Sequence, residues 1–264
     1  MLNLYNVKKT FNIGTINEKQ ALSGIDFQLN EGDFVTVIGG NGAGKSTMLN
    51  AIAGVWPIDE GSISIDGVSV SALPEHKRAK YIGRVFQDPM MGTAADMGIE
   101  ENLALALRRG KSRTLRWGIT KEERKQFHED LKILGLGLEG RMTAKVGLLS
   151  GGQRQALTLL MATIQKPKLL LLDEHTAALD PKTAEKVLEL SDKIVADHNL
   201  TTMMITHNMS DAIRHGNRLI MMNQGKIILD ISGEEKKSLT KADLLQKFSE
   251  VAGVQEESDE ILLS

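Results

Sequence analysis

Phe34-Val35-Thr36-Val37-Ile38-Gly39-Gly40-Asn41-Gly42-Ala43-Gly44-Lys45-Ser46-Thr47 decides the reading of this chain. Its first five residues form a β-branched run, which predicts a buried strand ending at Gly39. A helical pattern begins near Ser46. Between the two lies G-x-x-x-x-G-K-[ST], whose glycines let the backbone wrap closely at φ angles that side chains forbid. The turned amides and the helix N-terminus then present partial positive charge to an anion. A phosphate chain fits such a cradle. Gly39, Gly40, Asn41, Gly42, Ala43, Gly44 and Thr47 would line it, Lys45 would bridge the β- and γ-phosphates, and Ser46 would place its hydroxyl on Mg²⁺.

Upstream of this segment, Leu2, Leu4 and Val7, then Ile25, Phe27 and Leu29, predict strands, and Ile63 and Ile65 lead into the hairpin dipeptide Asp66-Gly67. From about Ile99 to Gln165 the pattern turns helical, with Leu103, Leu107, Leu131, Leu134 and Leu138 at helical spacings. Strand and helix then alternate. Leu169 to Leu172 reads as a strand, a helix carries Ala184, Val187, Leu188, Ile194 and Val195, and Thr202 to Ile205 is the next strand. This order predicts α/β architecture with a parallel sheet. A hairpin follows around Asn223-Gln224-Gly225, and the tail carries Glu250, Glu256, Glu257, Asp259 and Glu260, the pattern of a solvated, fraying end.

Composition sets the outer bounds. The chain has 264 residues, 41% hydrophobic and 25% charged, the balance of a globular protein with a real core. A net charge of −2 and no cysteine exclude a global basic field for nucleic acid, disulfides and thiolate metal sites. The alternating N-terminus lacks the apolar core of a secretory signal, and the run Leu169 to Leu172 is far shorter than the roughly 18 residues of a membrane span. A cytoplasmic location is expected, with any membrane link made through a partner.

A second chemical element lies at Leu169-Leu170-Leu171-Leu172-Asp173-Glu174. A buried strand ending in two carboxylates puts Asp173 at the C-terminal sheet edge, where open α/β sheets bind ligands. Asp173 would hold Mg²⁺ through water. Successive strand residues face opposite ways, so Glu174 must be turned by the next loop to act as general base on an attacking water. Leu149-Ser150-Gly151-Gly152-Gln153, opening the helical run Gln153 to Ile164, makes a second anion-ready helix N-terminus.

Together with Gln87 in Val85-Phe86-Gln87-Asp88, Ala178-Leu179-Asp180 and His207 in Ile205-Thr206-His207, these motifs run in order along nearly the whole chain. The chain resembles the nucleotide-binding subunit of an ABC transporter. The resemblance implies a P-loop NTPase (RecA-like) α/β core with an N-terminal antiparallel β subdomain and an inserted α-helical subdomain. The inserted subdomain, approximately 89–165, carries the LSGGQ signature. A single ATPase domain would span 1–232, with a C-terminal extension over 233–264. It further implies that Gln87 belongs to the Q-loop and touches the metal, that His207 contacts the γ-phosphate and Glu174, and that Phe11, or failing it Tyr5, stacks on adenine. In a head-to-tail homodimer, Ser150, Gly151, Gly152, Gln153 and Asp180 of one copy would close over ATP held by Lys45 of the other. The implied partners are integral membrane permease subunits and an extracytoplasmic solute-binding protein, with the chain peripheral on the inner face of the membrane and no nucleic acid bound.

Two departures matter. Most relatives carry proline where this chain has His175, so the turn after Glu174 loses a covalent constraint on φ. The segment Arg108 to Lys125 sums to +6 and contains Trp117; it reads as a solvated connection between helices or, alternatively, a face toward anionic lipid or a permease loop. A separate cassette, and the lack of glutamate in Thr143-Ala144-Lys145-Val146-Gly147, point to import. The string from Asp173 to Asp180 resembles an amino-acid uptake subgroup, including aromatic amino acids. The alternatives are a soluble ABC ATPase of an assembly machine such as iron-sulfur cluster scaffolding, and a catalytically degenerate nucleotide sensor.

Overall fold

The computed structural model describes residues 1–111 and 118–252, and the chain divides into two bodies. Met1–Arg78 with the chain from Leu200 onward makes the first, and Ala79–Asn199 the second. The first opens with β1 (Leu2–Phe11), β2 (Lys19–Leu29), β3 (Phe34–Ile38), α1 (Lys45–Ala53), β4 (Glu60–Ile65), β5 (Val68–Ser69) and the short α2 (Glu75–Arg78). The second contains β6 (Ile82–Val85), α3 (Ile99–Leu107), α4 (Lys121–Ile133), α5 (Gly151–Thr163), β7 (Leu169–Asp173) and α6 (Pro181–His198). The chain then returns to the first body with β8 (Thr201–Ile205), α7 (Met209–Arg214), β9 (Arg218–Asn223), β10 (Lys226–Ser232), α8 (Gly233–Ser238) and α9 (Lys241–Ala252).

Within the first body, an antiparallel sheet runs in the order β2-β1-β4-β5. Leu2 pairs with Leu29 on one side and Ile65 on the other, and Leu4 with Phe27 and Ile63. All six are buried, so one register puts the whole apolar set on a single face. Val7 breaks the strict alternation yet is buried, because a register shift beside Asn6, at φ 44°, rotates it inward. Asp66 and Gly67 both have positive φ, as do Gln224 and Gly225 between β9 and β10, the backbone of tight hairpin turns.

The second sheet of this body places β3 between parallel partners β8 and β9, with β10 antiparallel on β9. Every residue of β3 and β8 is buried, which is why both read as continuous apolar or β-branched runs. On it pack Ala212 of α7 and Leu244 and Phe248 of α9, with Leu239 from the link between α8 and α9. Arg78 has its guanidinium buried and donates to Ala51 O (2.7 Å), Ile52 O (2.8 Å), Leu73 O (2.7 Å) and Ser71 O (3.0 Å). It therefore satisfies the last carbonyls of α1, which end free in any helix.

In the second body, α3, α4 and α5 close around Ile99, Leu103, Phe127, Leu131, Leu157 and their neighbours. Phe127 is fully buried, a contribution of roughly 1.5–3 kcal/mol. Of the basic segment, Arg124 forks onto Glu100 at 2.7 and 2.9 Å, Arg108 meets Glu123 at 3.0 Å, and Arg109 donates to Ala162 O at 3.0 Å. These three arginines brace the helices. Arg113, Arg116 and Trp117 lie outside the described residues, as do Glu256, Glu257, Asp259 and Glu260 of the tail.

Candidate functional site

The first body builds the phosphate cradle. Gly39, Gly42 and Gly44 take φ values of 148°, 78° and 103°. A Cβ on Gly39 would sit 2.2 Å from Met222 O, and one on Gly44 2.6 Å from Ala21 O, so neighbouring strands leave no room for side chains. The loop closes with Ala43 N–H to Gly40 O (3.2 Å) and Gly225 N–H to Ala43 O (3.0 Å). Gly44 caps α1 without a side-chain bond, and no acid stands in its first turn. Its leading amides are thus set toward an anion rather than toward a protein carboxylate. Lys45 is buried and its ammonium donates to Gly39 O (2.6 Å) and Gly40 O (3.1 Å), holding the side chain back along its own loop. Ser46 is exposed and Thr47 half-buried.

Register carries two more residues to this edge. Val37 pairs with Ile205, so Gly39 and His207 stand two residues beyond that pair on adjacent strands. Lys19, opposite Phe11 in the β1–β2 register, brings its ammonium 3.0 Å from where a Gly42 side chain would begin. Phe11 itself is half-buried and packs edge-on against Trp56, centroids 4.9 Å apart, whereas Tyr5 is 71% exposed. Lys19 and Trp56 were not legible as site neighbours, because strand pairing brings the one there and a tertiary ring contact with Phe11 the other.

In the second body, β6 and β7 run parallel with Val85 opposite Leu172, so Gln87 and Glu174 each stand two residues past that pair, beyond the same end of the sheet. Asp173 accepts from Arg84 Nη2 at 2.9 Å, and the Arg84 guanidinium lies over the Phe86 ring at 4.6 Å. Glu174 supplies its own turn. Its φ is 46°, a left-handed conformation costing a non-glycine residue roughly 1–2 kcal/mol, and Ala177 N–H returns to Glu174 O at 3.0 Å. Ser150 caps α5 in a reciprocal box: its Oγ accepts from Gln153 N–H (3.3 Å) and Gln153 Oε1 accepts from Ser150 N–H (3.2 Å). Gly152 is needed for packing, since a Cβ there would meet Thr183 Cγ2 at 2.2 Å, and Gly151 faces Leu179. Asp180 caps α6 by accepting from Thr183 N–H at 3.1 Å. The Thr183 hydroxyl first, and then the Thr183 amide, holds its carboxyl below the usual range. Gln155, fully buried and silent in the sequence, donates to Phe86 O at 3.1 Å and ties the signature helix to the strand before Gln87.

Among the described residues no group of three or more histidines and acids gathers into a metal cage. Of the residues expected at the metal, Ser46 offers a hydroxyl in the first body, and Gln87 an amide and Asp173 a carboxylate in the second, where Asp173 already draws a cation in Arg84. Each is a hard oxygen donor of the kind Mg²⁺ takes alongside substrate phosphates.

The ABC transporter family model matches residues 22–177, more than half of the chain. A tyrosine transport ATP-binding protein of Clostridioides difficile is 43% identical over 94% of this chain and 98% of its own length. A methionine import ATP-binding protein of Enterococcus faecalis is 37% identical over 86% of this chain, which spans 64% of that relative. Among solved structures, a dimeric ATP-binding cassette in a post-hydrolysis state with ADP and Pi superposes with a TM-score of 0.75 at 32% identity, covering 88% of this chain and 98% of that one. The fold and its glycine cradle are those of the ATP-binding cassettes. This chain belongs to the ABC transporter family, as an importer-like, nucleotide-binding ATPase subunit. No described helix is long and apolar enough to cross a membrane.

Proposed function

We propose that the chain powers solute import as the ATP-hydrolysing subunit of a transporter whose permease is a separate membrane protein, with an amino acid, tyrosine first, as the solute. The observation that carries the reading is that one chain presents two helix N-termini built for phosphate, α1 behind Gly44 and α5 behind Ser150. One ATP engages only one of them within a subunit. The second serves the nucleotide of another copy, in an isologous head-to-tail pair. The cassette dimer quoted above supports this pairing, and the full-length match to the tyrosine transport subunit supports the solute. The chain would work at the inner membrane face, and an extracytoplasmic binding protein would deliver the solute.

In this scheme Lys45 exchanges the Gly39 and Gly40 carbonyls for phosphate oxygens and neutralises the charge that develops on them. The glycine-loop amides hold the phosphate chain in place, which is most of what phosphoryl transfer asks of a protein. Glu174 takes the proton of the attacking water, His207 orients the γ-phosphate and Gln87 reports from the permease side. Ser46, Asp173 and Gln87 would hold Mg²⁺, which when bound supplies charge neutralisation between the phosphates. Phe11 offers its ring to adenine.

Glu174→Gln tests the reading. It should bind ATP, dimerise and lose about 10²–10⁴-fold in turnover, the usual contribution of a general base. Wild-type turnover would remove Glu174 from that role. Uptake of labelled tyrosine by cells lacking the chain, with methionine, spermidine and phosphonate as comparisons, tests the solute. Unchanged tyrosine uptake would refute it.

A further inference from the structure

His175 has no part in the scheme above, yet it is 2% exposed directly after the residue assigned as base. Its Nε2 lies 3.0 Å from Ser191 Oγ in the third turn of α6. The same Oγ stands 2.8 Å from Val187 O. A carbonyl only accepts, so the single hydroxyl hydrogen of Ser191 goes to Val187, and Oγ must accept from a protonated Nε2. The direction of the bond is thereby set: the imidazole donates to α6.

The backbone explains what such an anchor does. Glu174 occupies a left-handed conformation at φ 46°, which persists in a non-glycine residue only where the surroundings over-determine it. Strand β7 fixes the chain on its N-terminal side. On its C-terminal side the turn bonds Ala177 N–H to Glu174 O and Leu179 N–H to Thr176 O lie within the loop itself and cannot orient that loop relative to the helix. The Asp180–Thr183 cap ties the far end of the loop to the first turn of α6, and the His175–Ser191 bond ties the residue next to Glu174 to the helix interior, 16 residues on.

We infer that His175 is a positioning residue: its Nε2–H bond to Ser191 pins the backbone next to Glu174 and so sets the direction of the catalytic carboxylate. This rests on the reading of Glu174 as the base. It also accounts for histidine where most relatives carry proline, a buried hydrogen bond replacing a covalent restraint on φ.

The test compares Ser191→Ala, His175→Ala, the double variant and His175→Pro, measuring kcat, KM, ATP affinity and thermal midpoint. Ser191→Ala should lower kcat about tenfold with KM and ATP affinity unchanged, since small misplacements of a reacting group are costly in rate. The double variant should fall no further than His175→Ala, and His175→Pro should recover most of the rate. In a Glu174→Gln background, Ser191→Ala should have no further effect on turnover. Independently of turnover, ¹⁵N shifts of His175 in the intact protein should report the Nε2–H tautomer in wild type and lose that signature in Ser191→Ala. Unchanged kcat in Ser191→Ala, additive losses in the double variant, or the Nδ1–H tautomer in wild type would each overturn the inference. Wild-type turnover of Glu174→Gln would instead overturn the base assignment while leaving the tautomer result standing.

Discussion

Replacing Gly39 by alanine puts a methyl group where β9 already stands. The new Cβ would lie 2.2 Å from Met222 O, 3.1 Å from Met222 C and 3.2 Å from Ala43 Cβ. An ordinary carbon–oxygen contact is about 3.3 Å or more, so the carbonyl must retreat by roughly 1 Å. Ile38, the residue before Gly39, pairs with Met221 in the parallel ladder, so this retreat pulls on the ladder between β3 and β9. Alanine must also adopt φ 148° there. Overpacking costs about 1–3 kcal/mol and a sparsely allowed backbone about 1–3 kcal/mol more, a loss of about 2–6 kcal/mol in all. For a protein of this size each kcal/mol moves the thermal midpoint by about 2–4 °C, so a fall of about 4–24 °C is expected by calorimetry of the nucleotide-free protein. Gly40→Ala is the control: its Cβ meets nothing within 4 Å, and stability should stay within about 0.5 kcal/mol of wild type. If phosphates approach this backbone closely, Gly40→Ala nevertheless weakens ATP binding. Equal midpoints for Gly39→Ala and wild type would refute the reasoning.

Arg78→Ala should cost about 3–5 kcal/mol in chemical denaturation, because it strands buried carbonyls at the end of α1, with Arg78→Lys recovering only part. Burial lowers the Arg78 pKa, which marks the desolvation that its four bonds must offset. Burial pushes the Glu123 carboxyl up, but the Thr120 amide and the Arg108 guanidinium outweigh it, and its pKa lies below the usual glutamate value. Its stabilisation is therefore present above the unfolded pKa and lost as pH falls through the lower folded one. Glu123→Gln should show a shallower loss of stability over that acid range in pH-dependent denaturation, and an identical slope would contradict the pairing. Gly152→Ala should impair turnover by pushing Thr183 away, and Thr183→Ser, which removes the clashing methyl, should restore much of it in the double variant.

How far the fold could be read from the chain depended on range. β3 declared itself because a strand buried on both faces needs an unbroken apolar run, and both hairpins because Asp66-Gly67 and Gln224-Gly225 are turn dipeptides with positive φ. The glycine loop was legible because its function dictates its backbone. Val7 was harder, since the bulge at Asn6 is a property of two paired strands. The helices after Ser232 were passed over as an extension: their apolar residues Leu239, Leu244 and Phe248 are sparse among charges and gain meaning only against Leu219 and Met221. Arg78, Arg84 and Gln155 left no local signal, because the partners that bury them, Ala51 and Ile52, Asp173 and Phe86, lie tens of residues away. Buried polar groups of this kind are satisfied by tertiary structure, which spacing does not encode.

The strand that begins the nucleotide cradle finds its partners late. Val35 lies opposite Met203 on one side and Arg218 on the other, so β3 can complete the first ladder only once Ile205 has been made and the second only once Met221 has. The second body is a continuous segment and has all its own residues before then. During synthesis at about 5–20 residues per second, the signature helix and the acidic strand end can therefore fold first. The glycine loop, although near the N-terminus, is among the last parts to be finished, and a truncated chain ending before Leu200 would carry its motif without its site.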